Sequence, residues 1–229
     1  EKVINCQNHQ EYLGQLRILG QEHLPRLREL DERIWRELER PDLFARFSEE
    51  EWAEILGRQG LVIGLEADGK LWGYSGIVYP GDREDNLGRE LGLSAEELPG
   101  VAHLETVAIH PYLRGNDLAR KIGYLLIETA QKRRGWQYLL NTTSPYNYPS
   151  IRSTFSMHMQ VVALTVKYGN KIRYIACREM NAASVAAESP VWVDTKDLPR
   201  QKDLLAQGCR GYAIRQKESG LQMAYGYFD

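Results

Sequence analysis

The chain has 229 residues and a formal net charge of −2, because 29 Lys and Arg residues are balanced by 31 Asp and Glu residues. This length predicts one large domain or one domain with a sizeable appendage. The near-neutral charge argues against a general nucleic-acid binder, which usually has a basic excess. It does not exclude a local anion-binding site, because net charge says nothing about one pocket.

Three widely separated cysteines, Cys6, Cys177 and Cys209, form no C-x-x-C pair. The sequence therefore predicts neither a disulfide framework nor a zinc site, and we expect no bound metal. No apolar run approaches the roughly 18 residues of a membrane span, and the first ten residues lack the apolar core of a signal peptide. We expect a cytoplasmic protein that binds neither membrane nor nucleic acid.

The first sixty residues are predicted to be helical. Ser48 followed by Glu51 forms a capping box, which predicts a helix from about Glu49 to Arg58. An earlier helix is indicated by apolar residues at steps of three or four, namely Leu24, Leu27, Leu30, Ile34 and Leu38.

The hydrophobic period changes after Gly60. Apolar runs at 61–66 and 71–79, separated by Asp68-Gly69, predict a β-hairpin. A polar, acidic insert then extends to Gly100, and its Ser94-x-x-Glu97 motif predicts a short helix. A connection of about 20 residues within a compact domain is often a lid or a specificity loop.

A strand–helix–strand order is predicted between residues 101 and 141, which is a βαβ unit with a right-handed crossover. A helix at 149–158 and strands at 160–167 and 171–178 follow. No internal repeat is evident. We expect a main domain over 1–180 and a C-terminal extension over 181–229 that packs on it. The extension is predicted to contain a linker at 181–189, a strand at 191–194, a helix at 199–207 and a hairpin at 211–228.

The segment HLETVAIHPYLRGNDLA, from His103 to Ala119, carries the clearest functional pattern. It predicts a strand, a tight turn containing Gly115, and a helix N-terminus. The first N–H groups of a helix have no partner inside it and point outward at the positive end of the dipole. With Arg114, Arg120 and Lys121 beside it, the turn is suited to a phosphate or pyrophosphate. Neither a P-loop nor a G-x-G-x-x-G fingerprint is present.

These residues resemble the GNAT superfamily of acyl-CoA-dependent N-acetyltransferases. The family pattern is a strand of the type E-x-V-x-V-x-P, then an R-G turn with the core Q/R-x-x-G-x-G/A, then a helix. The run from Glu105 to Pro111, followed by Arg114-Gly115, matches it. Asn147-Tyr-Pro-Ser-Ile-Arg152 resembles the N-x-x-A/S segment of the family, and 168–174 looks like a closing hairpin of one bacterial branch. The resemblance spans about 61–178 and implies an α/β (α+β) fold with a mixed, mostly antiparallel central sheet flanked by helices.

The resemblance also implies the cofactor site. The enzyme would transfer an acetyl group from acetyl-CoA to an amine of a small molecule or peptide. The thioester would lie between Ala108 and Asn141. The pantetheine arm would pair like an added strand with the backbone of Val107, Ala108 and Ile109. The pyrophosphate would be bound by the backbone N–H groups of the turn and the helix start, namely Arg114, Gly115, Asn116, Asp117, Leu118 and Ala119. Asn147 and Ser150 would make further contacts with the cofactor.

Two departures from the family pattern stand out. Asp117 occupies the second Gly/Ala position, with Tyr112 at the leading Gln/Arg position, and a carboxylate there repels a pyrophosphate unless it turns away. The family's tyrosine that protonates the leaving thiolate falls near Thr154 or Phe155, which are poor proton donors. These departures favour an alternative, namely a catalytically weakened GNAT-like module that senses acyl-CoA or binds a partner.

Direct attack by the amine in a ternary complex requires a general base. Glu105 is the first candidate, because strand alternation places it on the same side as Val107 and Ile109. A structural carboxylate paired with a cation is the alternative role for Glu105. His103 is the second candidate, whereas His110 is expected to be a turn residue. The acidic insert is expected to attract a cationic amine, and the sequence leaves room for a homodimer.

Overall fold

The computed structural model describes residues 2–39, 46–180, 189–218 and 220–228. Within these ranges the α-helices are α1 (Leu24–Arg36), α2 (Glu49–Ile55), α3 (Leu118–Arg133), α4 (Tyr148–Ser156) and α5 (Leu198–Ala206). The strands are β1 (Lys2–Ile4), β2 (Glu11–Leu13), β3 (Gln15–Leu19), β4 (Gly60–Ala67), β5 (Lys70–Val78), β6 (Val101–Ile109), β7 (Tyr138–Thr143), β8 (Gln160–Lys167), β9 (Lys171–Glu179), β10 (Val191–Asp194), β11 (Arg210–Lys217) and β12 (Gly220–Gly226).

The chain divides into two units. The first comprises Glu1–Pro80 with His103–Gly135, and the second comprises Gly81–Ala102 with Trp136–Asp229. The order strand–helix–strand predicted for 101–141 is confirmed as β6, α3 and β7, although α3 begins at Leu118 because residues 114–117 form the preceding turn. The division into domains at residue 180 stays a prediction, and residues 181–188 of the predicted linker lie outside the described residues.

The N-terminal residues form strands where we predicted helix. β1 pairs antiparallel with β2, placing Lys2 opposite Leu13, and β3 pairs antiparallel with β4. The prediction was wrong because the pairing partner of β3 lies more than forty residues away, and such tertiary pairing overrides a weak local pattern. Helix begins only at α1.

The core of the first unit lies where α1 and α2 pack on the sheet. Its strands follow the order β3-β4-β5-β6, and each pairing is antiparallel. Leu27 and Leu30 of α1, Trp52 and Ile55 of α2 and Tyr74 of β5 belong to one buried cluster. The predicted capping box is confirmed, since the Ser48 side chain accepts a hydrogen bond from the backbone N–H of Glu51.

A bulge interrupts β6 at Glu105. Ile77 of β5 pairs with Leu104, whereas the adjacent Gly76 pairs with Thr106, so Glu105 is an extra residue in the strand. A bulge breaks the period-two alternation of side chains. Simple alternation therefore does not fix the face of Glu105 relative to Val107 and Ile109, and their shared face stays a prediction.

The insert from Gly81 to Gly100 contributes side chains to the core of the second unit. Leu87 packs with Val101, Leu140, Ile175 and Cys177 in a buried cluster. The insert contains two short 3-10 helices, at Leu87–Leu91 and Leu98–Gly100, whereas residues 95–97 of the predicted helix form a turn. At the predicted Ser-x-x-Glu motif the backbone N–H of Ser94 donates to Glu97 over 2.8 Å.

The second unit contains an internal repeat, so the expectation of no repeat is wrong. β7, α4, β8 and β9 recur as β10, α5, β11 and β12. Asn147 caps α4 by accepting from the N–H of Ser150, and Asp197 caps α5 by accepting from the N–H of Arg200. Each residue of the first copy corresponds to the residue 50 positions later, up to the hairpin turn.

The two hairpins of the repeat share one register. Val161 pairs with Ala176 in the first copy, and Gly211 pairs with Tyr225 in the second. A bulge follows at the same place in both, between 161 and 163 and between 211 and 213. The predicted strand, helix and hairpin after residue 190 are confirmed, and they form the second copy.

The two copies meet about an approximate two-fold axis. Gly211 pairs with Val161, its own equivalent, and Arg210 donates to its equivalent Gln160 over 3.2 Å. α5 packs on β8, and α4 packs on β11. Reciprocal contacts between equivalent elements define an isologous interface, such as a symmetric dimer has. This chain forms that kind of interface within itself.

Candidate cofactor and catalytic site

The predicted anion-binding turn has an open backbone. β6 ends at Ile109, a short 3-10 helix covers Pro111–Leu113, and the turn leads into α3. Gly115 has a φ of +84°, and a Cβ there would meet nothing within 4 Å. Glycine adopts this left-handed conformation readily. The main chain at Gly115 is therefore accessible to a ligand.

The N-terminus of α3 is not capped by its own side chain. Asp117 is the N-cap residue, with a φ of 58°, but it makes no capping hydrogen bond. Its carboxylate instead accepts a hydrogen bond from Nε of Arg120 over 2.7 Å. The first N–H groups of α3, including those of Leu118 and Ala119, have no partner inside the helix. They are available to an anion.

This arrangement is shared by α1, whose N-cap residue His23 makes no capping bond either, and differs from that of the other three α-helices. α2, α4 and α5 are each capped by the side chain of their N-cap residue, Ser48, Asn147 and Asp197. The Asp117–Arg120 ion pair also resolves the departure from the family pattern, because the carboxylate is directed to a guanidinium. It neutralises Arg120 as well, so the turn is less positive than the sequence indicated.

Val107, Ala108 and Ile109 lie on the terminal strand of the first unit. They pair with Ser75, Tyr74 and Gly73 of β5. Ala108 is buried in the cluster beneath α1 and α2. Pairing of this segment with a pantetheine arm stays a prediction, as does a thioester placed between Ala108 and Asn141.

The two candidate catalytic residues lie together. Oε1 of Glu105 is 3.5 Å from Nδ1 of His103. The side chain of His103 is buried, whereas that of Glu105 is 34% exposed. The bulge thus presents an accessible carboxylate on a largely buried strand, with an imidazole beside it.

His110 has the structural role that was predicted for it. Its Nδ1 accepts a hydrogen bond from the N–H of Tyr112 over 3.3 Å, and its ring packs edge-on against Trp72 and Tyr112. Burial and the nearby Arg33 lower the pKa of His110 to about 4. The imidazole is therefore neutral at pH 7 and belongs to the turn.

Asn147 and Ser150 have partners within the second unit. Oδ1 of Asn147 accepts from the N–H of Ser150 over 3.1 Å, and Oγ of Ser150 accepts from Thr143 over 2.8 Å. These bonds cap α4 and tie it to β7. The contacts of Asn147 and Ser150 with a cofactor stay predictions.

The internal repeat indicates a polar pair whose side chains the sequence did not single out. Nδ2 of Asn141 donates to Oγ1 of Thr154 over 3.0 Å, and both residues are buried. Oδ1 of Asn141 has no hydrogen-bond partner among the described residues. The equivalent positions in the second copy hold Val191 and Leu204. The second copy thus has apolar residues at both positions, with Leu204 buried and Val191 exposed on the edge strand β10.

Two other chemistries receive no support from the described part of the chain. Burial raises the pKa of the Cys177 thiol to about 12, which leaves it protonated and unsuited to nucleophilic attack. The described residues include no group of three or more His, Cys, Asp or Glu side chains placed to hold a metal ion.

Among the helices that the structure describes, none is both long and apolar enough to cross a membrane.

The bulged strand with its exposed carboxylate is followed by an Arg-Gly turn and an uncapped helix N-terminus, in the order of the pattern that resembles the acetyl-CoA-dependent N-acetyltransferases. The family model described as "Acetyltransferase (GNAT) family" matches residues 24–153, more than half of the chain. The chain belongs to this family. No curated protein matches the sequence.

Solved structures share the fold at low sequence identity. NAA60 from Arabidopsis thaliana, in complex with acetyl-CoA, is 15% identical with a TM-score of 0.57, and the match covers 74% of this chain and 99% of that one. PaiA N-acetyltransferase from Thermoplasma acidophilum, with coenzyme A, is 15% identical with a TM-score of 0.52 over 73% and 99% of the two chains. The aminoglycoside acetyltransferase AAC(6')-Ib, with coenzyme A and kanamycin, is 15% identical with a TM-score of 0.55 over 73% and 95%.

The predicted fold class and enzyme class are confirmed. The chain has the GNAT fold, with mostly antiparallel strands flanked by helices. The family consists of N-acetyltransferases that use acetyl-CoA, which confirms the expected co-substrate.

Proposed function

We propose that this protein transfers the acetyl group of acetyl-CoA directly to an amine in a ternary complex, with Glu105 as the general base. The observation that carries this proposal is the contact between Glu105 and His103 at the bulge of β6. A carboxylate that is one-third exposed on a mainly buried strand is positioned to meet a substrate proton.

The residues of the turn fit the pyrophosphate of the co-substrate. The N–H groups from Gly115 to Ala119 would hold the phosphate oxygens, and the exposed Arg114 would add positive charge. Asp117 does not oppose this binding, because its carboxylate is paired with Arg120. When bound, acetyl-CoA supplies the activated acetyl group.

In the proposed reaction, Glu105 accepts a proton from the attacking amine, directly or through one water. The imidazole of His103 holds the carboxylate in position. The backbone N–H of Ile109 polarises the carbonyl. A C–N bond forms, the C–S bond breaks, and the electron pair leaves on sulfur. Because a simple thiol has a pKa of about 8.5, the thiolate is a good leaving group even where no tyrosine protonates it.

The substitution Glu105→Gln tests this proposal. It keeps the shape and burial of the side chain but removes the proton acceptor. Thiol release from acetyl-CoA with a panel of amines should fall by about 10²–10⁴-fold, while the Kd for acetyl-CoA from calorimetry stays unchanged. Glu29→Gln, at an exposed carboxylate of α1 that has no part in the proposed site, is the matched control. Unchanged turnover in Glu105→Gln would exclude Glu105 as the base.

A second candidate function is an acyl-CoA-binding sensor with little or no transfer activity. It is favoured by Thr154, whose buried hydroxyl accepts a hydrogen bond from Asn141 at the place where the family has its tyrosine. A sensor would bind acetyl-CoA in calorimetry and release no thiol with any amine tested. Thiol release that depends on an amine would exclude it.

The proposed acceptor is a cationic amine of a small molecule or a peptide. Among the solved relatives, the aminoglycoside enzyme is a complex with kanamycin, an amine-bearing small molecule. In the insert, Asp82, Glu84 and Glu96 are exposed, whereas Asp85 pairs with Arg83. These exposed carboxylates would attract a cation. A cytoplasmic location, the absence of nucleic-acid binding and homodimer formation stay predictions.

A further inference from the structure

The N-terminal hairpin lies against the anion-binding turn through Asn116. The backbone N–H of Ile4 donates to Oδ1 of Asn116 over 2.8 Å. Nδ2 of Asn116 donates to the carbonyl of Ile4 over 2.7 Å and to the carbonyl of Leu113 over 2.9 Å. One side-chain amide thus satisfies both main-chain groups of a residue in β1, as a neighbouring strand would.

Main-chain contacts continue the attachment past Ile4. The N–H of Cys6 donates to the carbonyl of Tyr112 over 2.7 Å, and the Cys6 thiol contacts the carbonyl of Pro111 at 3.5 Å. Asn5 between them is buried, and its Oδ1 accepts from the N–H of Gln7 over 2.9 Å. Residues 4–6 therefore run along the turn as an ordered segment.

Asn116 occupies the position where the turn most needs support. Its neighbours, Gly115 and Asp117, have φ values of 84° and 58°. Glycine leaves the chain free to adopt other conformations, and aspartate favours the left-handed region only weakly. An anion site of backbone N–H groups binds well only when these groups are aligned before the anion arrives.

We infer that Asn116 is a positioning residue which, through the hairpin of β1 and β2, fixes the turn for a pyrophosphate. This inference rests on the proposed use of acetyl-CoA. In this inference the side chain of Asn116 forms hydrogen bonds within the protein, and only its backbone N–H contacts the co-substrate. It also gives residues 2–13 a role in cofactor affinity.

Two substitutions remove the attachment from opposite sides. Asn116→Ala removes all three side-chain hydrogen bonds. Ile4→Pro removes the N–H that donates to Asn116 and leaves the turn sequence intact. Leu13→Ala is the matched control, because Leu13 lies in the same hairpin and is 77% exposed.

The decisive comparison uses two acetyl donors. Acetyl-CoA contains the pyrophosphate, and acetyl-pantetheine lacks it. We expect Asn116→Ala and Ile4→Pro to raise the KM for acetyl-CoA at least tenfold, with kcat unchanged. Their kcat/KM with acetyl-pantetheine should equal that of the unsubstituted protein, and Leu13→Ala should behave like the unsubstituted protein with both donors.

The outcomes separate the inference from the proposed function. An unchanged KM for acetyl-CoA in Asn116→Ala and Ile4→Pro would overturn the inference, as would an equal loss with both donors, since that would indicate general damage to the fold. Failure of the unsubstituted protein to bind acetyl-CoA in calorimetry would overturn the proposed function instead. Thermal melting of each variant confirms that the protein measured is folded.

Discussion

Gly211 of β11 pairs directly with Val161 of β8, the residue that occupies the same place in the other copy of the repeat. The absence of a side chain at Gly211 lets the two strands approach. A Cβ at Gly211 would lie 3.2 Å from Cβ of Val161 and 2.6 Å from Sδ of Met223. The two copies of the repeat in the second unit therefore meet at a contact that is tight even for the smallest side chain on one side.

Gly211→Ala should lower the free energy of unfolding by about 1–3 kcal/mol, because it adds a methyl group to a filled space. Met223→Ala, which removes the Sδ atom 2.6 Å from the added methyl group, should relieve part of this clash. In urea denaturation the double variant should lose less stability than the sum of the two single variants. Strict additivity would show that the two residues do not share a packing contact.

The polar pair Asn141 and Thr154 can be exchanged for the residues that the second copy uses. The double substitution Asn141→Val with Thr154→Leu removes the buried hydrogen bond together with the unpartnered Oδ1 of Asn141. Removing both partners should leave the free energy of unfolding nearly unchanged or slightly raised. We expect the unfolding free energy to be kept, whereas thiol release from acetyl-CoA falls at least tenfold.

The reverse substitution Leu204→Thr provides the control for this exchange. It should lower stability by about 1–3 kcal/mol through a buried hydroxyl without a partner, and leave activity intact. Full activity in the Asn141→Val and Thr154→Leu double variant would indicate that the pair serves no purpose beyond packing.

Asp31 should make the stability of the protein depend on pH. It is buried on α1, and its carboxylate accepts a hydrogen bond from Tyr74 over 2.8 Å. Burial raises the pKa of Asp31 from 3.8 to about 6. Because the folded state favours the protonated form, this contribution to stability is fully present below pH 3.8 and is lost as the pH rises through about 6.

Asp31→Asn removes this dependence while keeping an oxygen for Tyr74. At pH 8 it should raise the free energy of unfolding by about 2–3 kcal/mol, and at pH 4 it should have little effect. Urea denaturation at both pH values measures the difference. Glu29→Gln, at an exposed carboxylate on the same helix, should change neither value.

The Asp117–Arg120 ion pair should control the affinity for acetyl-CoA. Arg120→Ala frees a carboxylate at the N-terminus of α3, beside the proposed pyrophosphate, and should raise the Kd about tenfold by repulsion. Adding Asp117→Gly to the Arg120→Ala variant should restore much of the affinity, because it removes the freed carboxylate and glycine accepts the left-handed conformation. Calorimetry at low and high salt measures this coupling, which should shrink as salt increases.

The elements predicted correctly from the sequence are those set by neighbouring residues. Ser48 and Glu51 form the capping box, and Asp68 and Gly69 take the positive φ values that a tight hairpin needs. The Arg-Gly turn was also predicted correctly, because a glycine in a turn and the start of a helix are determined by a few neighbouring residues. Local chemistry determined these features.

The features that were missed depend on distant partners. The bulge at Glu105 exists only in the register between β5 and β6, and the attachment of Asn116 to Ile4 joins residues 112 positions apart. The repeat was missed because equivalent positions rarely hold the same residue, although Pro149 and Pro199 are an exception. Its copies share caps, bulges and register, which a comparison of residue types does not reveal.

The approximate symmetry of the second unit also changes what a single substitution can do. In a homodimer every substitution appears on both sides of the axis, so a residue that helps catalysis on one side must be tolerated structurally on the other. Here Gln160 faces Arg210, and Asn141 has Val191 as its counterpart. Tandem copies in one polypeptide can diverge independently, leaving one to carry chemistry while the other preserves packing.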